Sequence, residues 1–207
     1  MLQYITHPSP NHSIVEQVCM ALDGGCRWIQ LRLKEASDDE FRAIAREIIP
    51  KCRDSEAFLV FDDRVELTKE MEVHGVHLGN NDMHPAKARE LLGPGAIIGV
   101  TAHSADDILR YRGLDIDYFG VGPFKPTTTK KLHAEPLGLV GYHNIVKTIR
   151  QAGIDIPIVA IGGITMEDIS AIMNTGVNGI ALSGTINNAP NPTETTAKIL
   201  ELLYKGL

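Results

Sequence analysis

The chain has 207 residues, 43% of them hydrophobic and 22% charged, with a formal net charge of −6. That length carries one sizeable core and predicts a single domain over residues 1–207, and the acidic balance argues against a broad nucleic-acid surface. No apolar run approaches a membrane span. The odd cysteine set, Cys19, Cys26 and Cys52, with no close metal-ligand spacing and no signal peptide, predicts reduced thiols in a cytoplasmic setting.

Short apolar runs alternate with longer amphipathic ones. Strands are predicted at Leu2–Thr6, Trp28–Leu33, Phe58–Phe61, Gly75–Leu78, Ile97–Thr101, Tyr118–Val121, Ile158–Ile161 and Gly179–Leu182. Most are near-continuous apolar runs, as parallel strands covered on both faces require. Helices are predicted between them at Ser13–Asp23, Asp38–Arg53, Val65–Glu70, Pro85–Leu92, Ala105–Arg112, Gly141–Gln151, Met166–Thr175 and Pro192–Tyr204. Ser13 and Ser104 stand at N-cap positions, and Thr165 precedes an acid by three residues, as in a capping box. Gly24, Gly113, Gly153 and Gly176 follow helical stretches where a left-handed residue is expected.

Eight strands alternating with eight helices predict an α/β fold, the (β/α)8 TIM barrel, near the short end of its length range. The alternative is a doubly wound open sheet. It would place a glycine-rich turn after the first strand, where this chain has His7-Pro8-Ser9-Pro10. In a barrel the site lies at the carboxyl ends of the strands, and the polar residues gather there.

The second strand carries Gln30, Arg32 and Lys34, which a spacing of two puts on one face. An amide, a guanidinium and an ammonium facing a barrel interior are costly to bury without an anion. An exposed edge strand would also show this alternation, but a closed barrel has no edges. The third strand ends in Asp62-Asp63-Arg64, and the fourth is followed by Gly79-Asn80-Asn81-Asp82. Carboxylates at adjacent strand ends can hold one hard cation beside a substrate phosphate, or cap the following helices. The fifth strand ends in Thr101-Ala102-His103. Thr101 can donate to a phosphate oxygen, and His103 reads as a structural group more readily than as a base.

After the sixth strand comes Gly122-Pro123-Phe124-Lys125-Pro126-Thr127-Thr128-Thr129-Lys130-Lys131, an irregular loop rich in hydroxyls and ammonium groups that suits a pyrophosphate. The seventh and eighth strands run into Gly162-Gly163 and Leu182-Ser183-Gly184, where these barrels usually bind phosphate. His74 and His77 are three apart and make a poor metal pair. The remaining histidines read as surface or supporting groups, and Trp28 and Tyr118 suit packing as well as stacking.

With these segments in order, the chain resembles the thiamine-phosphate synthase family over nearly its whole length. The matching stretches are Gln30–Lys34, Asp62–Val65, Gly75–Gly79 with Asp82, Gly99–Thr101, Gly122-Pro123 through Lys130, Ala160–Ile164 and Ile180–Ser183. The resemblance implies a transferase of thiamine biosynthesis that joins a hydroxymethylpyrimidine pyrophosphate to a thiazole phosphate. Gln30, Arg32, Lys34, Asp62, Thr101 and Lys130 would then contact the pyrimidine substrate, with Arg32, Lys34 and Lys130 catalytic. Asp63 and Asp82 would hold Mg2+. Thr127, Thr128 and Thr129 would bind the thiazole, and Gly163, Leu182 and Ser183 its phosphate.

The implied partners are therefore small molecules, with no nucleic acid and no membrane, and homo-oligomerisation is left open. The family usually has Asn where this chain has Asp62, whose carboxylate would need protonation, a hydrogen bond to Arg64 or a share of the cation. A thiazole tautomerase on the same barrel is the nearest alternative, but that group lacks the metal acids and the threonine-lysine loop and tends to carry His where this chain has Pro123. A non-catalytic regulatory barrel has no reason to keep acids beside an anion cluster.

Overall fold

Residues 1–126 and 135–205 are described by a computed structural model. The strands are β1 (Leu2–Ile5), β2 (Trp28–Leu31), β3 (Phe58–Asp62), β4 (Gly75–Leu78), β5 (Ile97–Ala102), β6 (Tyr118–Val121), β7 (Ile158–Ile161) and β8 (Gly179–Leu182). All pair in parallel in chain order, and β1 closes the barrel by pairing Gln3 with Ala181 of β8. The closed ring rules out the doubly wound sheet. It also rules out the edge-strand reading of β2, which pairs with both β1 and β3.

The helices are α1 (Ile14–Asp23), α2 (Asp38–Asp54), α3 (Val65–Glu70), α4 (Pro85–Leu92), α5 (Ala105–Arg110), α6 (Gly138–Gln151), α7 (Ile169–Met173), α8 (Gly184–Asn187) and α9 (Pro192–Lys205). Ser13 and Ser104 cap α1 and α5 through their hydroxyls, as expected. The stretch from Met166 opens as a 3-10 turn over Met166–Asp168, where the Asp168 carboxylate accepts the Thr165 amide at 3.0 Å. The four-residue α8 was not legible in the sequence, because one turn carries no periodicity. Gly24 is right-handed at φ −75°, and the left-handed residue after α1 is Gly25 at φ 93°. Gly113, Gly153 and Gly176 are left-handed as expected.

Alternation along each strand divides the apolar residues into two cores. Outward residues such as Leu31, Phe61, Val76 and Phe119 pack with helix residues including Phe41, Ile108 and Ile145. Inside the barrel lies a smaller cluster of Ile5, Tyr118, Val159 and Ala181, with Trp28 edge-on to Tyr118. Each large side chain buried in the outer layer contributes about 1.5–3 kcal/mol. The outer layer therefore carries most of the stability, and the interior can hold polar groups. Gln3, Gln30, His77 and Thr101 are all buried there.

Candidate active site

At the carboxyl end of the barrel a cavity of about 260 Å³ opens between β1, β2 and the loops after β5 to β8. Its wall includes Gln30, Arg32, Asp62, Thr101, Gly163 and Ser183. The sequence-predicted residues of the second, third, fifth, seventh and eighth strands therefore do converge. Thr127, Thr128, Thr129 and Lys130 lie outside the described residues.

Strand β2 ends at Leu31, so Arg32 and Lys34 sit in the chain just beyond it rather than in the strand. Thr6, at the end of β1, holds that segment. Its hydroxyl accepts the Arg32 amide at 2.9 Å and donates to the Arg32 carbonyl at 3.3 Å. Sequence reasoning missed Thr6, although a threonine just past the first strand was the available signal.

Asp62 is the hub. Gln30 Nε2 donates to its Oδ1 at 2.8 Å, and Lys34 Nζ lies 2.9 Å from its Oδ2, with Arg32 Nε at 3.9 Å. Of the three ways to accommodate Asp62, the hydrogen bond to Arg64 does not form. The Arg64 guanidinium turns away to the Asp38 carboxylate, donates to the Ala36 carbonyl at 2.7 Å and lies over the Phe41 ring. The two cations just past β2 are thus the partners that make a buried carboxylate tolerable at Asp62.

Asp63 follows with φ 68°, a left-handed backbone uncommon outside glycine and typical of residues aimed by a site. Its amide donates to the His77 carbonyl at 2.9 Å. Asp82 is anchored by the Gly79 amide, which donates to its Oδ2 at 2.7 Å. Lys34 Nζ reaches both acids, at 4.0 Å from Asp63 and 3.7 Å from Asp82.

Burial disfavours the Lys34 ammonium, but Asp62, Asp82 and Asp63 outweigh it and hold its pKa above the ordinary lysine value. Burial, and then the Asp82 charge, push the Asp63 carboxyl up against the pull of Lys34. Two carboxylates that repel each other around one shared ammonium are a donor set suited to a hard divalent cation. No cluster of three or more acidic, histidine or cysteine ligands occurs among the described residues. Mg2+ does not require one, because it keeps waters and takes substrate phosphate oxygens.

On the opposite side of the cavity Gly162 and Gly163 are both left-handed, and a side chain on Gly163 would meet Lys125 and the Pro126 carbonyl at 3.0 Å. Leu182 ends β8 and Ser183 follows it on the same wall. Ser183 Oγ is buried with no hydrogen-bond partner among the described residues, an unsatisfied donor beside the cavity. Lys125, one of the ammonium groups of the loop after β6, pairs with Asp168 at 2.7 Å. His103 donates to or accepts from no described acid through its ring. Its Nδ1 contacts the Gly122 carbonyl at 2.6 Å, a structural tie. His77, set aside with His74 as a poor metal pair, lines the cavity and contacts Thr101.

The family model described as thiamine monophosphate synthase matches residues 2–186. The chain belongs to that family. Thiamine monophosphate synthase family relatives include the thiamine-phosphate synthase of Bacteroides fragilis, 54% identical over 201 residues, covering 97% of this chain and 98% of the relative. That of Bacteroides thetaiotaomicron is 52% identical over 201 residues, covering 97% and 96%. Among solved structures, a thiamine phosphate pyrophosphorylase from Pyrococcus furiosus superposes with a TM-score of 0.87 at 32% identity, covering 100% of this chain and 96% of that one.

Proposed function

We propose that this family member is a thiamine-phosphate synthase, joining a hydroxymethylpyrimidine pyrophosphate to a thiazole phosphate with release of pyrophosphate. The observation that carries this reading is the convergence of Gln30, Arg32, Lys34, Asp62, Asp63 and Asp82 through contacts of 2.8–4.0 Å at one barrel mouth. The near full-length match to synthases supports it.

Pyrophosphate leaves poorly until its charge is neutralised. Arg32 and Lys34 supply fixed positive charge from the β2 end, and Lys130, which the family resemblance makes catalytic, would add to it. Asp63 and Asp82 would hold Mg2+, which when bound supplies further charge neutralisation on the leaving group. The chain's own groups bind and orient. Gln30, Asp62 and Thr101 position the pyrimidine substrate, and Thr127, Thr128 and Thr129 flank the thiazole partner. Gly163, Leu182 and the unsatisfied Ser183 hydroxyl take its phosphate.

An aminopyrimidine stabilises positive charge at its benzylic-type carbon, so C–O cleavage runs ahead of attack by the thiazole nitrogen, and no protein nucleophile is required. The reading includes one domain over residues 1–207, which the pairing of the first and last strands supports. It also includes a cytoplasmic setting, which the free state of Cys19, Cys26 and Cys52 supports. No described helix is long and apolar enough to cross a membrane.

The test is direct. Purified protein is mixed with both phosphorylated substrates and Mg2+, and thiamine phosphate is the expected product. Lys130→Ala should abolish it with the fold intact. Conversion of the thiazole phosphate to an isomer without pyrophosphate release would instead identify a tautomerase.

A further inference from the structure

Beneath the cavity a continuous polar chain crosses the barrel interior. Gln3 Nε2 donates to the Tyr118 hydroxyl at 3.0 Å, the Tyr118 hydroxyl meets His77 Nδ1 at 3.0 Å, and His77 Nε2 meets Thr101 Oγ1 at 3.0 Å. All four residues are buried. Two glycines make room for the two rings. A Cβ on Gly99 would lie 2.1 Å from the Tyr118 ring, and one on Gly120 would lie 2.9 Å from His77 Cε1. The strands thus give up side chains at two inward positions to seat this chain of groups.

The direction of the bonds follows from counting hydrogens. The Tyr118 hydroxyl accepts from Gln3, and His77 Nδ1 is its other partner among the described residues, so its single hydrogen is assigned to His77 Nδ1. Burial raises the Tyr118 pKa, which keeps the phenol neutral and able to donate. A neutral imidazole that accepts at Nδ1 carries its hydrogen on Nε2 and donates it to Thr101 Oγ1. Thr101 then accepts from behind, and its own hydrogen is left for the cavity, whose wall it forms.

We propose that His77 and Tyr118 are positioning residues that lock the Thr101 hydroxyl as a hydrogen-bond donor toward an acceptor atom of the bound pyrimidine substrate. This rests on the synthase reading for the identity of that substrate. The wiring itself does not.

Two measurements test it. Nitrogen-15 NMR of the intact protein labelled at histidine should give His77 a pyridine-type Nδ1 and a pyrrole-type Nε2 at neutral pH. The opposite tautomer, or an imidazolium, overturns the proposal whether or not the protein is a synthase. In kinetics, Tyr118→Phe should lower kcat/KM for the pyrimidine pyrophosphate about tenfold and leave KM for the thiazole phosphate unchanged. An unchanged kcat/KM in the folded variant overturns it.

Substitutions at His77 separate positioning from packing. His77→Gln keeps a donor toward Thr101 and should stay within about tenfold of the parent, whereas His77→Leu should fall about a hundredfold. Leu is the better buried residue, so a purely structural role predicts the reverse order of activity. Absence of thiamine phosphate from the parent protein would sink the synthase reading, and the NMR result would still decide the tautomer.

Discussion

Lys34 Nζ sits 2.9 Å from Asp62 Oδ2 while also lying within 4.0 Å of Asp63 and Asp82, so one ammonium balances three carboxylates. Asp62 is 8% exposed and takes the shortest of these contacts. Its charge therefore occupies Lys34 before any pyrophosphate arrives. Asp62→Asn keeps an acceptor for Gln30 and releases Lys34 and Arg32. The fold should survive, and inhibition by inorganic pyrophosphate should tighten about tenfold, the scale of one charge interaction at a solvated mouth. Asp62→Ala leaves Gln30 without its acceptor and should cost about 1–3 kcal/mol in urea unfolding.

Asp63 sets function against stability. Its carboxyl is pushed up by burial and by Asp82. A folded-state pKa above the unfolded value means the ionised form destabilises the fold at neutral pH, and the penalty is relieved as pH falls. Asn also tolerates the left-handed φ of 68°. Asp63→Asn should therefore raise the melting temperature in metal-free buffer while lowering turnover about a hundredfold. Calorimetry and the coupling assay read the two effects separately.

Chelation should stop turnover without unfolding the barrel, because Asp63 and Asp82 lie at its rim and not in its core. Turnover in EDTA should return when Mg2+ is added in excess. Coupling that persists in EDTA would remove the role given to the acid pair.

The Lys125–Asp168 pair ties the start of the loop after β6 to the turn after β7, at 2.7 Å. Burial opposes ionisation of Asp168, but Lys125 and the Thr165 amide and hydroxyl prevail and lower its pKa. A lowered carboxylate contributes stability above its unfolded pKa of about 3.9 and loses it as pH falls through the folded value. Lys125→Met should cost about 0.5–1 kcal/mol at pH 7. That difference from the parent should shrink in urea titrations as pH falls below the unfolded value.

The thiols should separate by accessibility. Burial raises the Cys26 thiol and pushes Cys52 up to about 12. Cys19 is only partly buried. In the native protein one thiol, Cys19, should react quickly with a disulfide reagent at pH 8, and all three should react in denaturant.

The barrel and the cation-and-acid mouth were legible in the sequence because both are local patterns. Continuous apolar runs encode parallel strands, and strand ends encode proximity to the mouth, which Arg32 and Lys34 reach from the chain just past β2. The partner of Asp62 was not legible. Arg64 is its near neighbour in sequence, yet Phe41 and Asp38 of α2 draw that guanidinium outward, and the cations come from the segment after β2 instead. Nor was His77 legible as part of the cavity, since a lone histidine in a strand has no periodic signature.

The sequence by itself determined the order of strands and helices and the residue types at each strand end, because those follow from short-range spacing and composition. Only the tertiary structure decided who pairs with whom across the mouth, and that Tyr118, His77 and Thr101 form one directed chain. The contacts of that chain join residues 24 and 41 positions apart, and 115 in the case of Gln3 and Tyr118. They exist only once the barrel closes and brings the inward faces of its strands together.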